Sequence, residues 1–157
     1  MSAPTSGRVE HIHLTDGEGR PMRSATEVRA VAGVGLEGDR YASGSGRYSD
    51  DPGAGRQLTL VEAEVLDSLR AEHDIDLAPG STRRNLTTRG IRLNDLVGRR
   101  FTIGDVVCEA MRLCEPCQHL TDLIGQPVLE PLAHRGGLRA DIVTGGVIRV
   151  GDEIRPA

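Results

Sequence analysis

Residues 100–113 read Arg100-Phe101-Thr102-Ile103-Gly104-Asp105-Val106-Val107-Cys108-Glu109-Ala110-Met111-Arg112-Leu113. Gly104-Asp105 is a tight-turn signal between two runs that suit strands. The second run, 106–113, is the strongest strand in the chain, and Pro116 bounds it. Further short strands are expected at 8–14, 25–31, 57–60, 85–88, 138–143, 147–150 and 153–155. Glycine-bearing turns punctuate them, including Gly145-Gly146 and Gly151-Asp152. Helices are expected at 61–74, from Pro116 to Gly125, and at 128–133. Thr59 is expected to cap the first of these, with Glu62 three residues on. Its apolar stripe is Val61, Val65, Leu66 and Leu69. Pro116 suits the first position of the second helix. The segment 42–55 reads as a mobile surface loop. This pattern predicts a mainly β or α+β fold: one β-barrel-like domain over 8–155, after a flexible N-terminus at 1–7.

The chain has 157 residues, of which 38% are hydrophobic and 27% charged, the profile of a globular domain. One Phe, two Tyr and no Trp leave little for a base-stacking platform, so no nucleic-acid partner is expected. All 19 basic residues are Arg. Without Lys, this chain cannot hold pyridoxal phosphate covalently or form a Walker P-loop. The net charge of −4 is uneven: residues 83–100 carry six Arg against Asp95 alone. A basic stretch inside an acidic protein suggests a local anion site or a solvated Arg face. The N-terminal residues have no apolar signal core and no segment is long enough to span a bilayer, so a cytoplasmic protein without membrane association is expected. Three Cys in such a chain argue against a disulfide framework.

The densest chemistry lies in Cys114-Glu115-Pro116-Cys117-Gln118-His119. Cys117 falls in the first turn of an expected helix, where the helix end stabilises a thiolate. A thiolate binds a soft metal, carries a persulfide or attacks an electrophile. Arg112 and His119 lie close by in sequence. Alternatives remain at this point. A structural zinc site could recruit Cys108 and a histidine, but there is no second CxxC. A thioredoxin-like dithiol would want a preceding βαβ unit, and none is expected. Buried, inert thiols are the third alternative. Thr82-Arg83-Arg84-Asn85-Leu86 offers two Arg forks and an amide to a phosphate. His134-Arg135-Gly136-Gly137-Leu138-Arg139 offers glycine backbone flanked by Arg, or an ordinary turn before a strand. In Leu36-Glu37-Gly38-Asp39-Arg40, Asp39 and Arg40 are placed for local pairing.

In order along the chain, these segments resemble the MOSC domain, the C-terminal domain of molybdenum-cofactor sulfurases. The matching pieces are Gly35 to Arg40, Arg56-Gln57-Leu58-Thr59-Leu60, Arg84-Asn85-Leu86, Gly98 to Gly104, Cys114-Glu115-Pro116-Cys117 and Gly145 to Asp152. The resemblance implies a barrel-like fold, and it aligns the family's characteristic cysteine with Cys117. It implies a protein that binds the molybdenum cofactor or carries sulfur for it, in some members a molybdenum-dependent oxidoreductase acting on N-hydroxylated compounds. Cys117 would then ligate molybdenum or hold a persulfide, with Cys114 as an accessory thiol. Arg83, Arg84, Asn85, Arg135 and Arg139 would hold the phosphate and pterin. A cysteine desulfurase or a redox protein would be the partner, since the sulfurase's own desulfurase domain is missing from this chain. The alternative is a non-enzymatic domain that binds a small anion or zinc, with structural cysteines.

Overall fold

The computed structural model describes residues 6–17, 20–43, 55–115, 122 and 132–157. Its elements run β1 (Gly7–Leu14), β2 (Arg23–Ala25), β3 (Glu27–Val31), β4 (Gly35–Leu36), α1 (Arg40–Ser43), β5 (Leu58–Glu62), α2 (Ala63–His73) and β6 (Leu86–Arg89). They continue with β7 (Arg100–Ile103), β8 (Val106–Leu113), β9 (Leu138–Thr144), β10 (Gly146–Arg149) and β11 (Glu153–Pro156). Short 3-10 turns occupy Pro79–Thr82 and Leu93–Leu96. The expected 42–55 loop, the helix from Pro116 and most of the 128–133 helix lie outside the described residues. Residues 132 and 133 form a turn.

Seven strands close a barrel in the order β11-β7-β8-β9-β5-β6-β1, and β1 pairs back onto β11. Closure leaves no exposed ladder edge around the ring. The β7–β8 hairpin has the register that its Gly-Asp turn dictates, with Phe101 opposite Cys108 and Ile103 opposite Val106. Alternate residues point inward. Leu58 and Leu60, Leu138 and Ala140, Phe101 and Ile103, Val106 and Cys108, and Ile154 are all sealed from solvent. Each large side chain buried this way stabilises the fold by about 1.5–3 kcal/mol. The expected β-barrel architecture is therefore present. A second sheet, β10-β3-β4, packs Val28, Ala30, Leu36 and Ile148 onto the same core.

β5 and β6 run parallel, with Leu60 opposite Leu86, and α2 makes the crossover between them. A parallel pair needs such a connection. The expectation that no βαβ unit precedes the cysteines is thus corrected. The helix is also shorter than its stripe suggested. Val61 and Glu62 extend strand β5, and Glu62 is the N-cap residue without a side-chain cap bond. Thr59 does not cap it, because its hydroxyl is committed to Asn85 across the strands. Outside the barrel, α2 buries Val65, Leu66 and Leu69 with Ile75, Leu77 and Leu132 in a second apolar cluster. No helix among the described residues is long and apolar enough to cross a membrane.

The entry to β9 depends on Gly137. Its φ is 119°, and a Cβ there would lie 2.0 Å from the Leu60 carbonyl oxygen. Only glycine lets this segment close down on β5. Gly98 also has a positive φ, of 80°, but has nothing within 4 Å of its missing Cβ. Gly137→Ala should therefore lose several kcal/mol of unfolding free energy in denaturant titration, and Gly98→Ala only about 1 kcal/mol. Equal losses would remove the steric explanation.

Candidate functional site

Three segments far apart in sequence meet at one end of the barrel through Arg84. Its side chain is almost fully buried, and its Nε donates to the Gly136 carbonyl at 2.8 Å. Its Nη2 donates to the Cys114 carbonyl at 3.0 Å. The Cys114 N–H in turn donates to the Gly137 carbonyl at 2.7 Å. A bulge in β8 between Ala110 and Arg112 turns the strand end toward this contact. Beyond it, Glu115 accepts from the His134 N–H at 2.6 Å and lies 2.8 Å from His134 Nδ1. The Arg84, Cys114 and His134–Arg139 motifs therefore share one neighbourhood.

Asn85 is fully buried, and its amide joins strands. Its Oδ1 accepts from the Thr59 N–H and the Thr59 hydroxyl, both at 3.1 Å. Its Nδ2 donates to the His13 carbonyl at 3.2 Å, and the His13 N–H donates to the Asn85 carbonyl at 2.7 Å. Register then lays Arg112, Arg139 and Thr59 side by side across β8, β9 and β5. Two arginines directly opposite each other repel, a placement that suits an anion. Sequence reasoning missed Thr59 and His13 as members of this row. The available signal was Thr59 between Leu58 and Leu60, matching Asn85 beside Leu86 on adjacent strands.

Arg83 takes a left-handed backbone with φ 66°, and His134 does so with φ 60°. Non-glycine residues in this region carry strain, which concentrates at working sites. The Arg83 guanidinium donates to the Arg20 carbonyl. The Arg83 carbonyl accepts from Arg40 Nη2 at 3.0 Å. Arg40 also pairs with Asp39 at 3.3 Å, both side chains nearly sealed, so the expected local pairing is present. Asp39 further accepts from the Thr15 N–H at 3.2 Å. Removing one partner from so buried a pair costs about 3–5 kcal/mol.

Both described thiols are buried. Cys108 faces the barrel core, and burial first, then the Asp141 charge, pushes its thiol up to about 12. It is no nucleophile at neutral pH, and its inward position takes it away from the proposed zinc set. Cys114 is also buried. Cys117 and His119 lie outside the described residues. Among the described residues no group of three His, Cys, Asp or Glu is arranged to hold a metal ion. Arg135 does not join Arg83. Its guanidinium turns toward α2, with Nη1 4.0 Å from Glu72.

The geometry defines a small seven-stranded barrel whose strand ends and loops gather arginines around a cysteine-bearing segment. A family model described as the MOSC domain matches residues 35–155. The chain belongs to the MOSC domain family. No curated protein matches it in sequence. Among solved structures it is similar to the YuaD protein from Bacillus subtilis, with a TM-score of 0.78 at 17% identity, covering 95% of this chain and 94% of that one. It is also similar to YiiM from Geobacillus stearothermophilus, with a TM-score of 0.68 at 14% identity, covering 96% and 75% of the two chains. For YiiM from Escherichia coli the TM-score is 0.64 at 18% identity, with 96% and 69% covered. At these identities the likeness establishes the fold.

His13 is expected to give this end of the barrel a pH dependence. Burial, then the neighbouring His11, holds its imidazole below the usual histidine range. Its Nδ1 is covered and has no hydrogen-bond partner among the described residues. A histidine with a lowered folded-state pKa binds fewer protons folded than unfolded, so stability falls as pH drops below about 6.5. The melting temperature should fall on acidification from pH 7 to 5, and His13→Gln should flatten that fall. Identical slopes for the two proteins would exclude His13 as the cause.

Proposed function

We propose that this MOSC-family protein binds the molybdenum cofactor at the Arg84 end of the barrel and works through Cys117. The observation that supports the reading best is the convergence of Arg83–Asn85, Cys114 and His134–Arg139 around the two Arg84 hydrogen bonds. The residues fit such a ligand chemically. Arg83 and Arg139 bring guanidinium groups suited to a phosphate tail. Arg84 and Asn85 act from beneath, holding the backbone that carries those groups. Cys117, three residues after the anchored Cys114, would supply the soft thiolate that molybdenum accepts. When bound, the cofactor supplies the redox chemistry. Around it, this chain's residues bind the anionic tail and keep Cys114 and Cys108 out of the reaction. A redox protein would deliver electrons for reduction of N-hydroxylated compounds. In the sulfur-carrier form of the same reading, a cysteine desulfurase would load Cys117.

The test is elemental analysis of protein purified from cells that make the molybdenum cofactor. Molybdenum near one atom per chain is expected in the wild type and should be lost in Cys117→Ser. Metal-free wild-type protein from such cells counts against cofactor binding. Undiminished molybdenum in Cys117→Ser refutes the ligand role. Mass spectrometry after incubation with a cysteine desulfurase separates the carrier form, which predicts one added sulfur on Cys117.

A further inference from the structure

A second cleft, of about 470 Å³, opens between the first half of α2, residues 92–94 and residues 133–135. Arg92, Arg135, Glu62 and Glu64 line it together with His134, whose Nδ1 lies 2.8 Å from Glu115, and Ser68 and Asn94 are its neutral polar groups. Val65 and Ala133 give it an apolar wall. Its cations and anions are not matched to one another at close range. Glu62 accepts from the Leu93 N–H at 3.3 Å and Glu64 from the Gly90 N–H at 2.8 Å, so both carboxylates are fixed by backbone. Arg92 sits 3.9 Å from Asp95 on the surface.

Arg135 is the unusual member. Its Nε and Nη2 are covered but have no hydrogen-bond partner among the described residues, while Nη1 faces Glu72 at 4.0 Å. Nε and Nη2 form the edge with which arginine grips a carboxylate bidentately. A covered donor without an acceptor is unfavourable, and a swing of the guanidinium onto a ligand carboxylate would relieve it. Such rotamer changes accompany binding commonly. A lone anion is poorly suited here, because Glu62 and Glu64 share the cleft. A ligand carrying a carboxylate and an ammonium together meets both signs.

We propose that this cleft binds a small zwitterion of the amino-acid type, its carboxylate on Arg135 and Arg92, its ammonium toward Glu62 and Glu64, and its side chain against Val65. The cleft shares His134 and Arg135 with the segment that the cofactor reading also uses, but its other lining residues lie on α2 and near residues 92–94, and the zwitterion proposal rests on that lining and not on bound cofactor.

Three probes with similar apolar bodies test the idea by NMR titration of the full chain: L-leucine, 4-methylpentanoate and isopentylamine. Leucine alone should shift the amides of residues 64–68 and 133–135 in a saturable way at millimolar concentration. Arg135→Gln should weaken that binding about tenfold. Ser68→Leu, which fills the cleft from the exposed face of α2, should abolish it while the remaining spectrum stays that of the folded protein. The proposal is overturned if leucine causes no saturable shift, if 4-methylpentanoate or isopentylamine binds as well as leucine, or if binding survives both substitutions.

Discussion

The Arg84 guanidinium reaches from the start of β6 to two backbone carbonyls, one at the end of β8 and one just before β9. A buried cation is costly unless its donors are satisfied. Here each bond is charge-assisted, and both acceptors belong to loops that the barrel ladder does not hold. Cys114 and Gly137 form one further backbone bond, and Glu115 and His134 lock together beyond it. The segment carrying Cys117 is thus anchored at its start by one buried side chain. Arg83, strained and adjacent to Arg84, is positioned by the same anchor.

The barrel supplies rigidity, and the Arg84 contacts gather at its strand ends. Closure through β1 and β11 fixes the ring, and its interior is filled mostly by leucine, isoleucine and valine, with Thr88 opposite Val9 as an inward polar side chain. The polar row therefore forms on the outward face, where Asn85 and Thr59 bind each other while Arg112 and Arg139 lie in register. α2 closes the parallel β5–β6 pair and in doing so builds one wall of the second cleft. The same cleft takes in His134 and Arg135 from the loop before β9.

Much of the sheet was legible because its turns are spelled in glycine. The β7–β8 hairpin follows from Gly104-Asp105, and β9, β10 and β11 from the glycines between them. What local pattern could not show is long-range pairing. Nothing near Gly7 announces Ile154 as its partner, and nothing near Leu58 announces a parallel neighbour. The start of α2 was misplaced because Thr59 has the spacing of a cap, while a distant amide claims its hydroxyl. The motifs stand out in the sequence, but which of their side chains hold backbone does not. Arg84 and Asn85 read as ligand-binding residues, and in the fold their side chains hold backbone. Arg135 read as a companion of Arg83, and it turns to α2. Burial decides between these roles, and a single sequence does not carry it.

Amide hydrogen exchange in Arg84→Met measures the anchor directly. The Cys114 and His134 amides should exchange at least about tenfold faster than in the wild type, while amides of β7 and β11 keep their protection. Unchanged protection at Cys114 and His134, in a protein whose barrel amides are also unchanged, would contradict the central role given to Arg84.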